Sequence, residues 1–206
     1  MAQLRTKRWM LFVDGENLTI RAQELAVTRG VELTAGPHWR RDVFVWLPDV
    51  TFATQLSSRI AFGTAWDDFS RSGVRAYYYT SLTGDDSAIA EVREQLWTLG
   101  FDPSVFKKAS RTRRSKAVDI SLATDMLSHA FSDHFDGVIL IAGDGDYVPL
   151  VEAVKRQGKL VQVVFFRSVV SEALRLSADW YSDWTGPFFE SWEARESNDA
   201  GKRARQ

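Results

Sequence analysis

Four aspartates stand where an apolar run has just ended or a helix has just begun. The run WMLFVDGEN puts Asp14 directly after a buried strand pattern, and VILIAGDGDY puts Asp144 and Asp146 after another. In KAVDISLATDML, Asp119 falls in the first turn of a helix whose positions Leu122, Ala123 and Met126 form the apolar face, so Asp119 points with that face toward a sheet. Carboxylates gathered at one edge repel one another unless cations neutralise them, and an oxygen-only ligand set suits Mg²⁺ or Mn²⁺. A divalent ion held there lowers the pKa of a bound water and stabilises the charge that develops when a phosphodiester is hydrolysed. Asn17, shortly after Asp14, is placed to hold a metal-bound water or a phosphate oxygen, and Gly15, Gly143 and Gly145 allow tight turns. The competing reading is that Asp14 and Asp144 cap the helices that follow. Asp146 is the most open to it, because a helix pattern begins near Val148. Asp125 lies about 240° around the helix from Asp119 and about 9 Å along it, which leaves it an outer or surface place.

Strand and helix patterns alternate around these residues. Trp9 to Val13, Val74 to Tyr79, Ser104 to Phe106, Val138 to Ala142 and Leu160 to Phe166 read as buried strands, with a short one at Val43 to Trp46. Asp86 to Leu99 carries Ile89, Val92, Leu96 and Leu99 at helical spacing, and Ala117 to Phe131, Val148 to Gln157 and Val170 to Ala178 repeat that logic. Strands alternating with helices imply an α/β domain whose mainly parallel sheet is covered on both faces. In such a sheet, ligands bind at the carboxyl ends of the strands. A length of 206 residues with 45% apolar content fits one domain, assigned to residues 8–192. Residues 193–206 are polar without a periodic face and are expected to form a disordered tail. Cysteine is absent, which excludes thiolate metal sites and cysteine nucleophiles. The N-terminal apolar run is too short for a signal peptide, and no stretch approaches the ~20 apolar residues of a membrane helix, so a soluble, cytoplasmic protein without membrane association is expected.

The net charge of -1 gives no global attraction to polyanions, so any such binding must be local. KKASRTRRSK supplies it: Lys107, Lys108, Arg111, Arg113, Arg114 and Lys116 lead into the Asp119 helix without an intervening acid. Cations beside a carboxylate site are what a nucleic-acid backbone requires, and Lys116, three residues before Asp119, is placed either to reach a scissile phosphate or to pair with a neighbouring carboxylate. A solvated surface loop is the plainer alternative. Trp9, Trp46 and Trp97 sit in apolar patterns and read as core. Trp180, Tyr181, Trp184, Phe188, Phe189 and Trp192 read as packing near a sheet edge rather than as base-stacking groups. His38, His129 and His134 show no ligand spacing and read as structural or surface residues.

Taken in order, DGEN, KAVDISLATDML and IAGDGDYVPLVEAVKRQGK resemble the NYN domain family, the LabA-like branch of the PIN-like nucleases, over roughly residues 8 to 180. The resemblance implies a Rossmann-like three-layer α/β/α sandwich and a Mg²⁺- or Mn²⁺-dependent ribonuclease centre acting on RNA. Asp14, Asp119 and Asp144 match its acidic positions, and Asn17 and Asp146 match motif residues. The sequence departs from the pattern at YYYTSLTGDD, where Thr80 and Ser81 stand where some relatives place another acid. The family also contains regulators, so an RNA-binding module without turnover, or one active only on one structured RNA or only with a partner, is the alternative; association with a protein partner or with a second copy of the chain, as a homo-oligomer, is left open. A haloacid-dehalogenase-like phosphatase fits less well, because that chemistry needs an Asp two residues after its nucleophile and Glu16 stands there.

Overall fold

Side chains alternate between the two faces of a strand, and this settles where Asp14 points. In β1 (Trp9–Asp14), Trp9, Leu11 and Val13 enter one core cluster while Met10 and Phe12 enter the other, so Asp14 shares the face of Met10 and Phe12. The computed structural model describes residues 8–34, 36–48, 73–108 and 115–203. After β1 come α1 (Gly15–Arg29), the short ribbon β2 (Trp39–Arg40) and β3 (Phe44–Val45), β4 (Gly73–Leu82), α2 (Asp86–Thr98) and β5 (Asp102–Lys107). The second half holds α3 (Lys116–Phe131), β6 (Gly137–Ile141), a 3-10 turn (Gly145–Tyr147), α4 (Val148–Arg156), β7 (Leu160–Phe165), α5 (Glu172–Ser177), β8 (Trp180–Asp183) and α6 (Thr185–Arg203).

The main sheet runs β5-β4-β1-β6-β7-β8, and every neighbouring pair is parallel. On the first face, Leu18, Ala22 and Ala26 of α1, Val92 and Leu96 of α2, and Phe188, Phe189 and Trp192 of α6 share one core with β2 and β3. On the second face, Val118, Leu122 and Met126 of α3, Val151 and Val154 of α4, and Leu174 of α5 share the other. This is the three-layer α/β/α sandwich expected from the alternation of patterns. Parallel strands buried on both faces read as continuous apolar runs rather than alternating ones, and β1 and β6 are buried throughout.

Two expectations are corrected. Trp97 is 71% exposed rather than core, because Val92 and Leu96 already define the buried stripe of α2 and Trp97 lies off it. The chain also stays helical through Arg203, where a disordered tail was expected from Glu193. The buried Phe188, Phe189 and Trp192 anchor the first half of α6, from which the helix continues. The aromatic cluster near the end does pack as expected, with Trp184 and Trp192 fully buried and only Trp180 exposed. Among the described residues no helix is long and apolar enough to cross a membrane.

On the second face, Tyr79 donates its hydroxyl to Asp125 Oδ2 at 2.9 Å, and the Tyr77 hydroxyl lies 3.1 Å from His129 Nε2. His129 Nδ1 in turn lies 2.9 Å from His134 Nδ1, so one of these two nitrogens must be unprotonated. Burial, and then the neighbouring His134, hold the His129 pKa below its ordinary 6.5, against a smaller opposing pull from Asp125. The unfolded chain therefore takes up this proton more readily than the folded one. The stabilisation is complete above the unfolded value and is lost as pH falls through the folded value. The thermal midpoint is expected to fall as the pH drops below about 7, and His129→Gln should flatten that slope in a calorimetric pH series.

Candidate active site

β1 and β6 lie side by side, with Val13 opposite Ile141. After β1 the chain turns onto the first face as α1, and after β6 it turns onto the second face through the 3-10 turn and α4. The crevice between two diverging connections is the place where open α/β sheets bind ligands. Two glycines let the backbone close down on it. A Cβ at Gly15 would stand 2.0 Å from the Tyr78 ring, and one at Gly143 would stand 2.2 Å from the Phe165 ring.

Asp14 is buried at the mouth of this crevice. Its Oδ1 accepts the Asn17 backbone N–H at 3.0 Å, which caps α1, and its Oδ2 accepts the Tyr147 hydroxyl at 3.1 Å. The same hydroxyl lies 3.1 Å from Oδ1 of Asp119, which comes from the first turn of α3 and is otherwise exposed. A phenol carries one proton, so it is shared between two carboxylates that would otherwise face each other. Burial first, and then the charges of Asp14 and Asp119, push the Tyr147 pKa far above its ordinary value and keep that proton in place. The sequence reading missed Tyr147. Its signal was a hydroxyl-bearing aromatic directly behind the acidic pair in GDGDY.

Asp144 is half-buried and caps the 3-10 turn, with Oδ1 accepting the Asp146 backbone N–H at 3.2 Å. Asp146 contributes its amide here while its side chain is exposed, and α4 has no side-chain cap, so the capping of α4 considered for Asp146 is not made and Asp144 caps the 3-10 turn before it. For Asp14, capping occupies one oxygen and leaves the other to Tyr147, so the capping and site roles coexist. Asn17 is buried, and its Oδ1 accepts the Gly143 N–H at 3.0 Å, tying α1 to the turn that carries Asp144. That contact, rather than an open position toward a ligand, is what its side-chain oxygen serves.

The cationic run is divided. Lys108, grouped by sequence with the phosphate-binding cations, is buried, and its Nζ donates to Glu16 Oε1 at 2.8 Å, so its charge is matched inside the protein. Lys107 and Lys116 are exposed. Arg111, Arg113 and Arg114 lie outside the described residues. Glu16, the position where a phosphatase needs its second acid, accepts from both Lys108 and the Ser115 N–H, which tells against that chemistry. Thr80 donates to the Val43 carbonyl, and Ser81 is buried on the face of Tyr77 and Tyr79.

The sequence model of the NYN domain matches residues 8–185. The chain belongs to the NYN domain family. Among curated proteins none matches it. A crystal structure of a protein of unknown function from Vibrio parahaemolyticus is similar at a TM-score of 0.60 and 21% identity, covering 91% of this chain and 99% of that one. At that identity the likeness speaks for the fold alone. The NYN family is nuclease-like, and such nucleases generally use divalent metals. In this NYN domain no three His, Asp or Glu side chains among the described residues already form a cage for an ion. The donor chemistry nevertheless fits Mg²⁺, which is held by one or two carboxylates and fills its remaining positions with water and phosphate oxygens. Asp14 and Asp119, meeting at one hydroxyl, are such a pair.

Removing the shared proton should be costly. Tyr147→Phe is expected to destabilise the NYN domain by about 1.5–3 kcal/mol in urea unfolding, the range for a hydrogen bond to a charged partner. Tyr181→Phe, which deletes a bond to the neutral Phe165 carbonyl, should cost less.

Proposed function

We propose that this NYN domain is a metal-dependent endoribonuclease whose centre is built on Asp14 and Asp119, with Asp144 and Asp146 beside them. The observation that carries the reading is the meeting of the Asp14 and Asp119 carboxylates at the Tyr147 hydroxyl, at the diverging ends of β1 and β6. A bound Mg²⁺ or Mn²⁺ would activate water and stabilise the charge that builds up on the phosphodiester. The protein's own groups do the rest. Asp14 is fixed by the start of α1, which its other oxygen caps, and Asp119 is fixed on the first turn of α3. Asn17 holds Gly143, and thereby sets where Asp144 leaves β6. Tyr147 spaces the two carboxylates. Lys107 and Lys116 lie on either side of the cationic segment and offer charge to a phosphate backbone, so that RNA approaches the carboxylates with part of its own charge neutralised.

A non-catalytic RNA-binding module is the second reading, because the exposed Lys107 and Lys116 serve it equally well. Labelled single-stranded and structured RNA, incubated with the purified protein and Mn²⁺ or Mg²⁺, separates the two. Cleavage should appear, and should fall by more than about 100-fold in Asp14→Asn and Asp119→Asn, beyond what the loss of an outer partner costs. RNA that is bound tightly but left intact with either ion would move the protein to the second reading. Lys116→Ala should lower the slope of log affinity against log salt by about 0.7 for single-stranded RNA, the value of one lost phosphate contact. An unchanged slope would remove Lys116 from the interface.

A further inference from the structure

Glu16 sits two positions beyond Asp14, in the first turn of α1, and is buried. Its Oε1 receives the Lys108 ammonium at 2.8 Å and its Oε2 receives the backbone N–H of Ser115 at 3.1 Å. Ser115 is the cap residue of α3, and its own side chain makes no capping bond. One carboxylate on α1 therefore ties down the start of the helix that carries Asp119.

The placement of this tie matters because α1 and α3 lie on opposite faces of the sheet. Each helix is packed into its own core, so the Glu16–Ser115 bond is a direct link between the two sides of the sheet. A hydrogen bond to the amide of Ser115, the residue just before α3, adds a directional constraint, and Asp14 and Asp119 stand close in sequence on either side of that bond. The Lys108 contact holds the Glu16 carboxylate in this orientation. A buried ion pair of this kind often adds little net stability, so its value is more readily sought in position than in folding energy.

We propose that Glu16 is a positioning residue that, together with the Tyr147 hydroxyl between them, sets the separation of Asp14 and Asp119, and through it the affinity of that pair for a divalent cation. The consequence for cleavage rests on the ribonuclease reading; the consequence for cation binding does not.

The test compares two double variants with the wild type. Glu16→Gln with Lys108→Met, and Glu16→Leu with Lys108→Met, each remove both buried charges together, so neither leaves an unpaired ion. Only the glutamine retains an oxygen that can accept from Ser115. Urea stability, Mn²⁺ affinity by calorimetry on the protein alone, amide exchange across residues 115–119, and kcat and KM on RNA are measured for all three. The glutamine pair is expected to stay within about 3-fold of the wild type. The leucine pair should bind Mn²⁺ about 10- to 100-fold more weakly, exchange faster over those amides, and lose kcat at unchanged KM.

Wild-type Mn²⁺ affinity and exchange in the leucine pair would overturn the proposal, as would equal losses in both pairs, which would assign the effect to the charges alone. A wild-type protein that takes up no Mn²⁺ overturns it as well. A wild type that binds Mn²⁺ with the expected pattern but cleaves no RNA leaves the positioning role standing and removes the ribonuclease reading. Should the leucine pair fail to fold, Ser115→Pro deletes the same N–H from the other side and is read in the same assays.

Discussion

One phenolic proton stands between Asp14 and Asp119, and much of the local architecture can be traced to keeping it there. Two carboxylates this close need a donor between them, and the donor must resist ionisation itself. Burial of Tyr147 secures that, and it requires the chain to turn inward straight after β6. The 3-10 turn capped by Asp144 makes this turn, the Gly143 backbone pressed against Phe165 leaves no room for a side chain there, and Asn17 holds the Gly143 amide from the opposite connection. Each of these contacts looks local, yet together they place one hydroxyl.

The sheet topology supplies the crevice that those contacts line. With β1 and β6 adjacent and their following helices on opposite faces, the strand ends are open where the backbone diverges. Asp14 reaches the α3 side of that opening by strand parity, and Asp119 meets it from the first turn of α3. Lys108 and Glu16 show the other use of charge in the same region. Their pair is spent on holding α1, the end of β5 and the start of α3 together, while Lys107 and Lys116 remain exposed to solvent.

Much of the fold was legible in the sequence because parallel strands buried on both faces must be apolar throughout, and helices between them must carry a stripe. β1, β6 and β7 follow directly from such runs, and α2, α3 and α4 from their spacing. The failures are equally physical. Trp97 was placed in the core by residue type, but it lies off the stripe that Val92 and Leu96 define. The polar end of the chain lacked a periodic face, yet it continues a helix that Trp192 and its aromatic neighbours had already nucleated.

By itself the sequence determined the sandwich, the strand ends that carry Asp14 and Asp144, and the helix start that carries Asp119, because periodicity and the position of a residue relative to an apolar run are properties of local chain geometry. Only the tertiary structure decided which groups meet. Residue type could not distinguish Lys108, which is buried against Glu16, from the exposed Lys107 beside it, nor reveal that Tyr147 serves two carboxylates from distant parts of the chain. Burial and hydrogen-bond partnership are set by where the elements pack, and that information is carried by contacts between residues far apart in sequence rather than by any one stretch of it.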